Sequence, residues 1–238
     1  MNKLKIIIVL AFVLRGSAFF FTGGYNNDYY WEYGETAKNL MNGKGYSLFY
    51  YDGSELKHHF DNESKPYPTA YMSPGYVFFL YPFIAIKSLL IRNTLLFLAQ
   101  SIISIVTLLL LYKITKDFFN HKAALFAALI YAITPDIVYS VLSYSPTVIY
   151  HLLVALLFYL FPAKNYSLKK IFLIALIFVL TIYFRGEFLL FLIIFLTYLF
   201  AQKRLKDAAL ISAIVIILLL PWVIRNYGST VNSVKMIN

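Results

Sequence analysis

The sequence predicts an all-α polytopic membrane protein with about seven transmembrane helices and a large first extracytoplasmic loop that carries short helices. Hydrophobic residues make up 61% of the 238 residues and charged residues 13%, against about 45–50% and about 25% in soluble domains. The apolar residues form long runs without two-residue alternation, which favours membrane helices over a membrane barrel. Because backbone in lipid must satisfy its own hydrogen bonds, each run is predicted to be helical.

The first apolar run covers residues 6–21 and follows a short basic start with Lys3 and Lys5. A cleaved signal peptide is the alternative interpretation. However, no small-residue cleavage pattern follows the run, Arg15 interrupts it, and bulky aromatic residues close it. We therefore predict a retained helix that anchors the chain, with the N-terminus in the cytoplasm.

The next segment, residues 22–73, holds seven of the eleven acidic residues against four lysines. Basic residues instead cluster at 113–122, 164–170 and 203–206. Since basic loops stay on the cytoplasmic side, these clusters predict a multi-pass protein with residues 22–73 outside. We expect it in the plasma (inner) membrane.

Residues 74–220 are predicted to hold the remaining membrane helices, and residues 221–238 an extracytoplasmic tail after Pro221. An odd number of crossings must connect the outer loop to the basic cluster that starts at Lys113. We therefore expect the first run of this part to lie in the membrane without crossing it. The runs are 76–91, 95–112, 123–142, 146–161, 171–184, 188–201 and 208–220.

The chain has no cysteine, which excludes disulfides and thiolate sites. Its net charge of +10 resembles that of a nucleic-acid-binding protein. The basic residues nevertheless lie in short clusters between apolar runs, a pattern that indicates the membrane topology of the chain. We therefore predict no nucleic-acid partner.

The outer loop contains a helical pattern over residues 29–41 that stops before Gly43. Asp28, Glu32 and Glu35 are spaced at i, i+4 and i+7, which places three carboxylates along one stripe of that helix. A helix N-cap is the alternative role for Asp28, and a solvated face is the alternative for the two glutamates.

The loop closes with KPYPTAYMSPGYVFF, which begins at Lys65 and includes Tyr71. Three prolines and a glycine around tyrosines predict a stiff segment suited to a binding wall, although a plain boundary between loop and helix is equally compatible. Further along, Arg185 and Arg225 stand beside apolar runs, and ionisable groups at membrane depth usually face a cavity or a partner.

Each arginine has a functional and a structural interpretation. The planar guanidinium of Arg185 is suited to bind a phosphate, but it could simply pair with Glu187. Arg225 has the same chemistry, and as an alternative it anchors the chain at the interface beside Trp222.

The order of four segments resembles the GT-C superfamily of membrane glycosyltransferases, in particular bacterial proteins related to protein O-mannosyltransferases and aminoarabinose transferases. These segments are DYYWEYGETAKNLMNGKGY, PTAYMSPGYVFFL, FRGEFLL and PWVIRNY. The resemblance implies a GT-C-like bundle and an enzyme that moves a sugar from a polyprenyl-phosphate donor to an acceptor on the outer face. The acceptor is a glycan, a lipid or a protein.

The resemblance also assigns roles to residues. Asp28 matches the base near the acceptor, and Arg185 matches the residue that contacts the lipid phosphate. Lys65 and Tyr71 lie where the family has its carrier-binding wall. Glu35 and Arg225 are added as candidates for binding the substrate or its phosphate. Attack opposite the phosphate would invert the anomeric centre with one carboxylate as base.

Some features depart from the family pattern. Relatives often have an acid in the turn where this chain reads SPT at 145–147, and Asp136 is a candidate substitute. Relatives also continue beyond PWVIRNY, so a truncated family member is one expectation.

His58 and His59 are candidate ligands for a divalent metal, with solvated loop residues as the alternative. No other cofactor is predicted. The competing class of function is a transporter or an assembly subunit that handles lipid-linked sugars without catalysis.

Overall fold

A computed structural model describes residues 3–26, 31–48, 50–51, 56–57, 66–162 and 166–237. The described chain is predominantly helical, with one pair of two-residue antiparallel strands, β1 and β2, in the segment that was predicted to be an outer loop. A 3₁₀ turn, Gly24–Asn26, follows the first helix, and another, Gly186–Phe188, precedes the ninth. The elements in chain order are α1 Lys3–Phe21, α2 Trp31–Met41, β1 Tyr50–Tyr51, β2 Leu56–Lys57, α3 Pro74–Ile84, α4 Leu89–Phe118, α5 His121–Ile133, α6 Pro135–Ser140, α7 Thr147–Leu160, α8 Leu168–Phe184, α9 Leu189–Ala201 and α10 Leu205–Ile237.

In the described residues, three helices are long and apolar enough to cross a membrane: Lys3–Phe21, Leu89–Phe118 and Leu205–Gly228. Shorter apolar helices pack among them. The predicted all-helical membrane architecture is therefore confirmed in its coarse form.

The antiparallel pair α1 and α4 determines where the intervening segment begins and ends. Phe19, near the end of α1, stacks on Phe97, near the start of α4, with ring centroids 4.3 Å apart. Ile7, near the start of α1, shares a buried cluster with Leu108, toward the end of α4. The chain between α1 and α4 therefore leaves and re-enters the bundle at the same end, which we call the loop end.

Helix α3 lies within that intervening segment and has 11 residues, about 16 Å at 1.5 Å per residue. This is well short of the roughly 30 Å of a bilayer core. Its first turn packs closely on α8, because a Cβ at Gly75 would lie 2.7 Å from Cδ2 of Phe184 and 2.9 Å from the carbonyl oxygen of Tyr183. Glycine at this position permits the start of α3 to meet the end of α8.

Two predicted boundaries around α4 and α5 are wrong. The run 76–91 was expected to end before Arg92 and Asn93, but α3 stops at Ile84 and α4 runs through both residues, which are buried. The run 123–142 breaks between Thr134 and Pro135, since proline provides no amide hydrogen to continue α5 and is favoured in the first turn of a new helix.

The predicted end of the last membrane helix at Leu220 is also wrong. Helix α10 continues through Pro221 to Ile237. A proline removes one backbone hydrogen bond, and apolar helices tolerate this where neighbouring groups adjust. The segment 221–238 is therefore helical in its described part, and its extracytoplasmic position stays a prediction.

Arg15 of α1 is fully buried. Its guanidinium donates to Oγ of Ser104 at 2.9 and 3.2 Å, to the carbonyl oxygen of Ala11 at 2.9 Å and to that of Ala132 at 3.3 Å. The Ala132 carbonyl lies at the end of α5, where the break at Pro135 interrupts helical pairing. Arg15 thus joins α1, α4 and α5 through neutral acceptors.

Candidate functional site

Arg185 lies directly after α8 at the loop end of the bundle. Its backbone N–H still donates to the carbonyl oxygen of Thr181 at 2.8 Å, while its own conformation is extended, with φ −149° and ψ 110°. The change from helical to extended backbone ends α8 and directs the chain into the turn Gly186–Phe188. The side chain of Arg185 is exposed.

The guanidinium of Arg185 rests on an aromatic ring. Its Cζ lies 5.5 Å from the ring centroid of Tyr150 on α7, within the range of a cation–π interaction. Within the described ranges, the guanidinium makes no hydrogen bond and no ion pair, and the pairing with Glu187 that was considered from the sequence is not formed. Its N–H donors are therefore available to an anion.

Tyr33 on α2 is in the electrostatic field of this arginine. Its ring packs edge-on against Tyr76 of α3, with centroids 5.2 Å apart and an interplanar angle of 87°. Burial raises the pKa of Tyr33, Arg185 acts in the opposite direction, and Glu187 and Glu32 raise the pKa further. Tyr33 therefore keeps its proton at neutral pH and can donate a hydrogen bond next to the arginine.

Tyr76 connects the start of α3 to the bundle. Its hydroxyl donates to Oε1 of Gln100 at 3.0 Å, and Nε2 of Gln100 donates to the carbonyl oxygens of Val141 at 3.0 Å and Ser143 at 3.2 Å. Because Gln100 is fully buried, this network holds α3, α4 and the turn before α7 in a fixed arrangement. Tyr33 packs on that rigid base.

A second set of contacts holds the turn Gly24–Asn26. Nδ2 of Asn93 donates to the carbonyl oxygen of Tyr25 at 3.4 Å, and Oδ1 of Asn93 accepts from the hydroxyl of Tyr144 at 2.5 Å. A small cavity of about 50 Å³ lies beside these groups, and Gln100 also lines it. The buried Asn93 thus holds α4 against the turn Gly24–Asn26, which precedes Asp28 in the sequence.

The predicted catalytic residue, Asp28, lies outside the described residues, as do Lys65, His58 and His59. The described residues that precede and follow Asp28 are Asn26, which ends the turn packed on α4, and Trp31, which starts α2. The predicted end of α2 at Met41 is confirmed.

Glu35 and Tyr71 occupy different environments. Glu35 is half-buried on α2, which packs along α3. Tyr71 is 65% exposed, and its backbone N–H donates to Oγ1 of Thr69 at 3.0 Å. It also contributes to the field at Tyr33. Tyr71 and Arg185 thus both influence the electrostatic environment of Tyr33.

The guanidinium of Arg225 makes its hydrogen bonds to other groups of the protein. It donates to the carbonyl oxygen of Thr69, and to that of Tyr46 at 2.6 Å. It also lies over the rings of Tyr46 and Trp222, at 5.0 and 5.2 Å. These contacts join α10 to two extended segments of the loop that are bonded to each other, since the Thr69 N–H donates to the Tyr46 carbonyl at 3.0 Å. They give Arg225 a structural role, and its binding of phosphate stays a prediction.

Two further predictions remain open. In the part of the chain that the structure describes, no group of three His, Asp or Glu side chains is placed to hold a metal ion, and a metal at His58 and His59 stays a prediction. Asp136 is exposed in the first turn of α6. A carboxylate at this position interacts favourably with the positive N-terminal end of the helix dipole.

Sequence reasoning missed Tyr33 and Tyr150 as members of the site. Both are tyrosines among many, and their meaning depends on an arginine that is distant along the chain. No local pattern in the sequence marks either residue for this role.

Comparison with known protein families gives a match over most of the chain. A family model described as dolichyl-phosphate-mannose-protein mannosyltransferase matches residues 72–224, which is more than half of the 238 residues. The matched range covers α3 to α9 and most of α10, including Arg185. No curated protein and no solved structure matches the chain.

Proposed function

We propose that this chain, which belongs to the dolichyl-phosphate-mannose-protein mannosyltransferase family, transfers a sugar from a polyprenyl-phosphate donor to an acceptor. The transfer takes place at the loop end of the bundle. Family membership implies a membrane glycosyltransferase of the GT-C type. The single observation that supports the specific reaction is Arg185, an exposed guanidinium on an aromatic ring that makes no hydrogen bond within the described residues.

The proposed role of Arg185 is to bind the phosphate of the lipid carrier. A guanidinium can donate two parallel hydrogen bonds to a phosphate. As the bond between the sugar and the phosphate breaks, negative charge grows on the departing phosphate oxygen. A cation held beside that oxygen stabilises this charge more in the transition state than in the bound donor. Tyr33, as a protonated donor nearby, would add a further hydrogen bond.

The proposed base is Asp28. The acceptor oxygen attacks the anomeric carbon from the face opposite the phosphate, and the carbon–oxygen bond to the phosphate breaks. The acceptor proton passes to the carboxylate of Asp28, and the polyprenyl phosphate leaves as an anion. One displacement of this kind inverts the anomeric centre and forms no covalent intermediate with the protein. Lys65 and Tyr71 are proposed to form the wall that holds the carrier.

The proposed topology has seven crossings, with the N-terminus in the cytoplasm and the loop end outside the plasma membrane. In this arrangement α1, α4, α5 with α6, α7, α8, α9 and α10 cross, and α3 does not. Two observations support it: α1 and α4 are antiparallel, and basic residues are concentrated at the opposite end of the bundle, as expected for a cytoplasmic face.

The experiment that tests this function is Asp28→Asn in the full chain, assayed for sugar transfer from a synthetic polyprenyl-phosphate sugar. We expect kcat to fall by roughly 10²–10⁴-fold, the usual contribution of a general base, with unchanged insertion and melting temperature. Asp117→Asn, which neutralises an exposed carboxylate in the last turn of α4 at the opposite end of the bundle, is the matched control and should retain activity. If Asp28→Asn turns over at the wild-type rate, Asp28 is not the base.

A further inference from the structure

The end of the bundle opposite to the loop end is strongly basic. Helices α4, α7 and α9 finish there, and α5, α8 and α10 begin there. In the described chain the carboxylates at this end are Asp117 and Asp207, and Asp207 is already paired with Arg204 at 2.6 Å. The basic side chains at this end include Lys113, Lys116, Lys122, Lys169, Lys170, Lys203, Arg204 and Lys206.

A groove opens between the ends of α4 and α7 at this basic end, with a volume of about 480 Å³. Ile114 and Phe118 of α4 line one side, and Phe158 of α7 lines the other. Phe118 and Phe158 are 60% and 45% exposed. The floor is therefore apolar and open, which suits a hydrocarbon chain better than a soluble ligand.

The rim of the groove is polar and positively charged. Nζ of Lys113 donates to the hydroxyl of Tyr159 at 2.7 Å and lies 4.6 Å from its ring centroid. Lys170, from the first turn of α8, lines the same groove together with Tyr159. While it accepts from Lys113, the Tyr159 hydroxyl keeps its own proton to donate. Two ammonium groups and one O–H donor thus belong to the rim: Lys170 and Tyr159 line the groove, and Lys113 is joined to it through Tyr159.

We propose that this groove binds an anionic phospholipid, with the phosphate between Lys113, Tyr159 and Lys170 and the first part of an acyl chain on the apolar floor. The net charge of the groove determines which lipid headgroup it favours. Two ammonium groups against the single carboxylate of Asp117 leave the groove with a net positive charge, so an anionic headgroup is favoured over a zwitterionic one. Basic pockets between membrane helices bind acidic headgroups by the same chemistry.

The groove is separate from Arg185, which lies at the other end of α8. The proposal therefore does not depend on the proposed transfer reaction, and it is tested by binding rather than by activity.

The test uses the purified full chain in detergent, titrated with dioleoyl phosphatidylglycerol, phosphatidylethanolamine or phosphatidylcholine, with bound lipids counted by native mass spectrometry. We expect the wild type to bind phosphatidylglycerol tightest. Lys113→Gln with Lys170→Gln should weaken that binding by roughly 30-fold, at about 1 kcal/mol for each lysine near an anionic headgroup.

The matched control is Lys203→Gln with Lys206→Gln, which removes the same charge from the same end. Among the described residues, neither of these lysines lines the groove, and neither side chain bonds to a residue that lines it. It should keep most of the preference for phosphatidylglycerol. Equal losses in both double variants would mean general attraction to a basic surface and would overturn the proposal. Tighter binding of phosphatidylethanolamine or phosphatidylcholine by the wild type would overturn it as well. Melting temperatures of both variants without added lipid identify any loss that comes from misfolding.

Discussion

Arg185 and Arg225 differ in what their guanidinium groups bind, although each follows a long apolar segment and each lies over an aromatic ring. Arg225 donates to the backbone carbonyls of Thr69 and Tyr46. Arg185 contacts the ring of Tyr150 and, among the described residues, makes no hydrogen bond. The structure thus separates two residues that have nearly the same sequence context.

The difference shows how a structural arginine is distinguished from one that is available to a ligand. Carbonyl oxygens that are cut off from water need donors, and Arg225 supplies them where the loop meets α10. The side chain of an arginine without such bonds loses conformational entropy when it is held in one position. Hydrogen bonds to a bound anion can offset this cost. Exchange of each arginine for methionine, which has a similar length and no charge, tests the two roles in parallel.

Arg185→Met should have the larger effect on catalysis. We expect kcat/KM for the polyprenyl-phosphate donor to fall by roughly 10²–10³-fold, because removal of one preformed donor to a developing charge typically costs that much. The melting temperature should stay near that of the wild type, since no described hydrogen bond is lost. The measurement is steady-state transfer with donor and acceptor varied separately. Equal losses for donor and acceptor would argue that Arg185 shapes the site without contacting the phosphate.

Arg225→Met should act on stability instead. The carbonyls of Tyr46 and Thr69 lose their charged donor, which should lower the free energy of unfolding by about 1–3 kcal/mol. Thermal unfolding in detergent measures this loss, and limited proteolysis should find faster cleavage in the segment between the two residues. Unchanged stability together with a selective loss of donor use would instead place Arg225 at the phosphate.

The same two arginines show how much could be predicted from sequence. The helical membrane class follows from the apolar runs, and several helix ends, such as Met41 and Phe184, were predicted correctly because glycine or arginine marks them. The partners of Arg225 are 156 and 179 residues away in the chain, so no local pattern reveals them. Its role could only be read from the tertiary structure.

Polar and proline residues misled the prediction of boundaries for a related reason. Arg92 and Asn93 suggest a loop, but they are buried within α4, where Asn93 binds Tyr25 and Tyr144. Pro135 ends one helix and Pro221 does not. In each case neighbouring elements decide whether a polar group or a missing N–H is tolerated, and a single sequence does not identify those neighbours.

Replacement of Tyr150 tests the ring under Arg185 and should have the smallest effect. A cation–π contact at an exposed position contributes about 0.5–1 kcal/mol, so Tyr150→Leu should raise KM for the donor by roughly 2–5-fold. Tyr150→Phe keeps the aromatic face and should behave as the wild type does. A loss in Tyr150→Phe equal to that in Tyr150→Leu would assign the effect to the hydroxyl. In that case the guanidinium would be held in place by something other than the aromatic face, and an effective contact with a ring would no longer be a feature that Arg185 shares with Arg225.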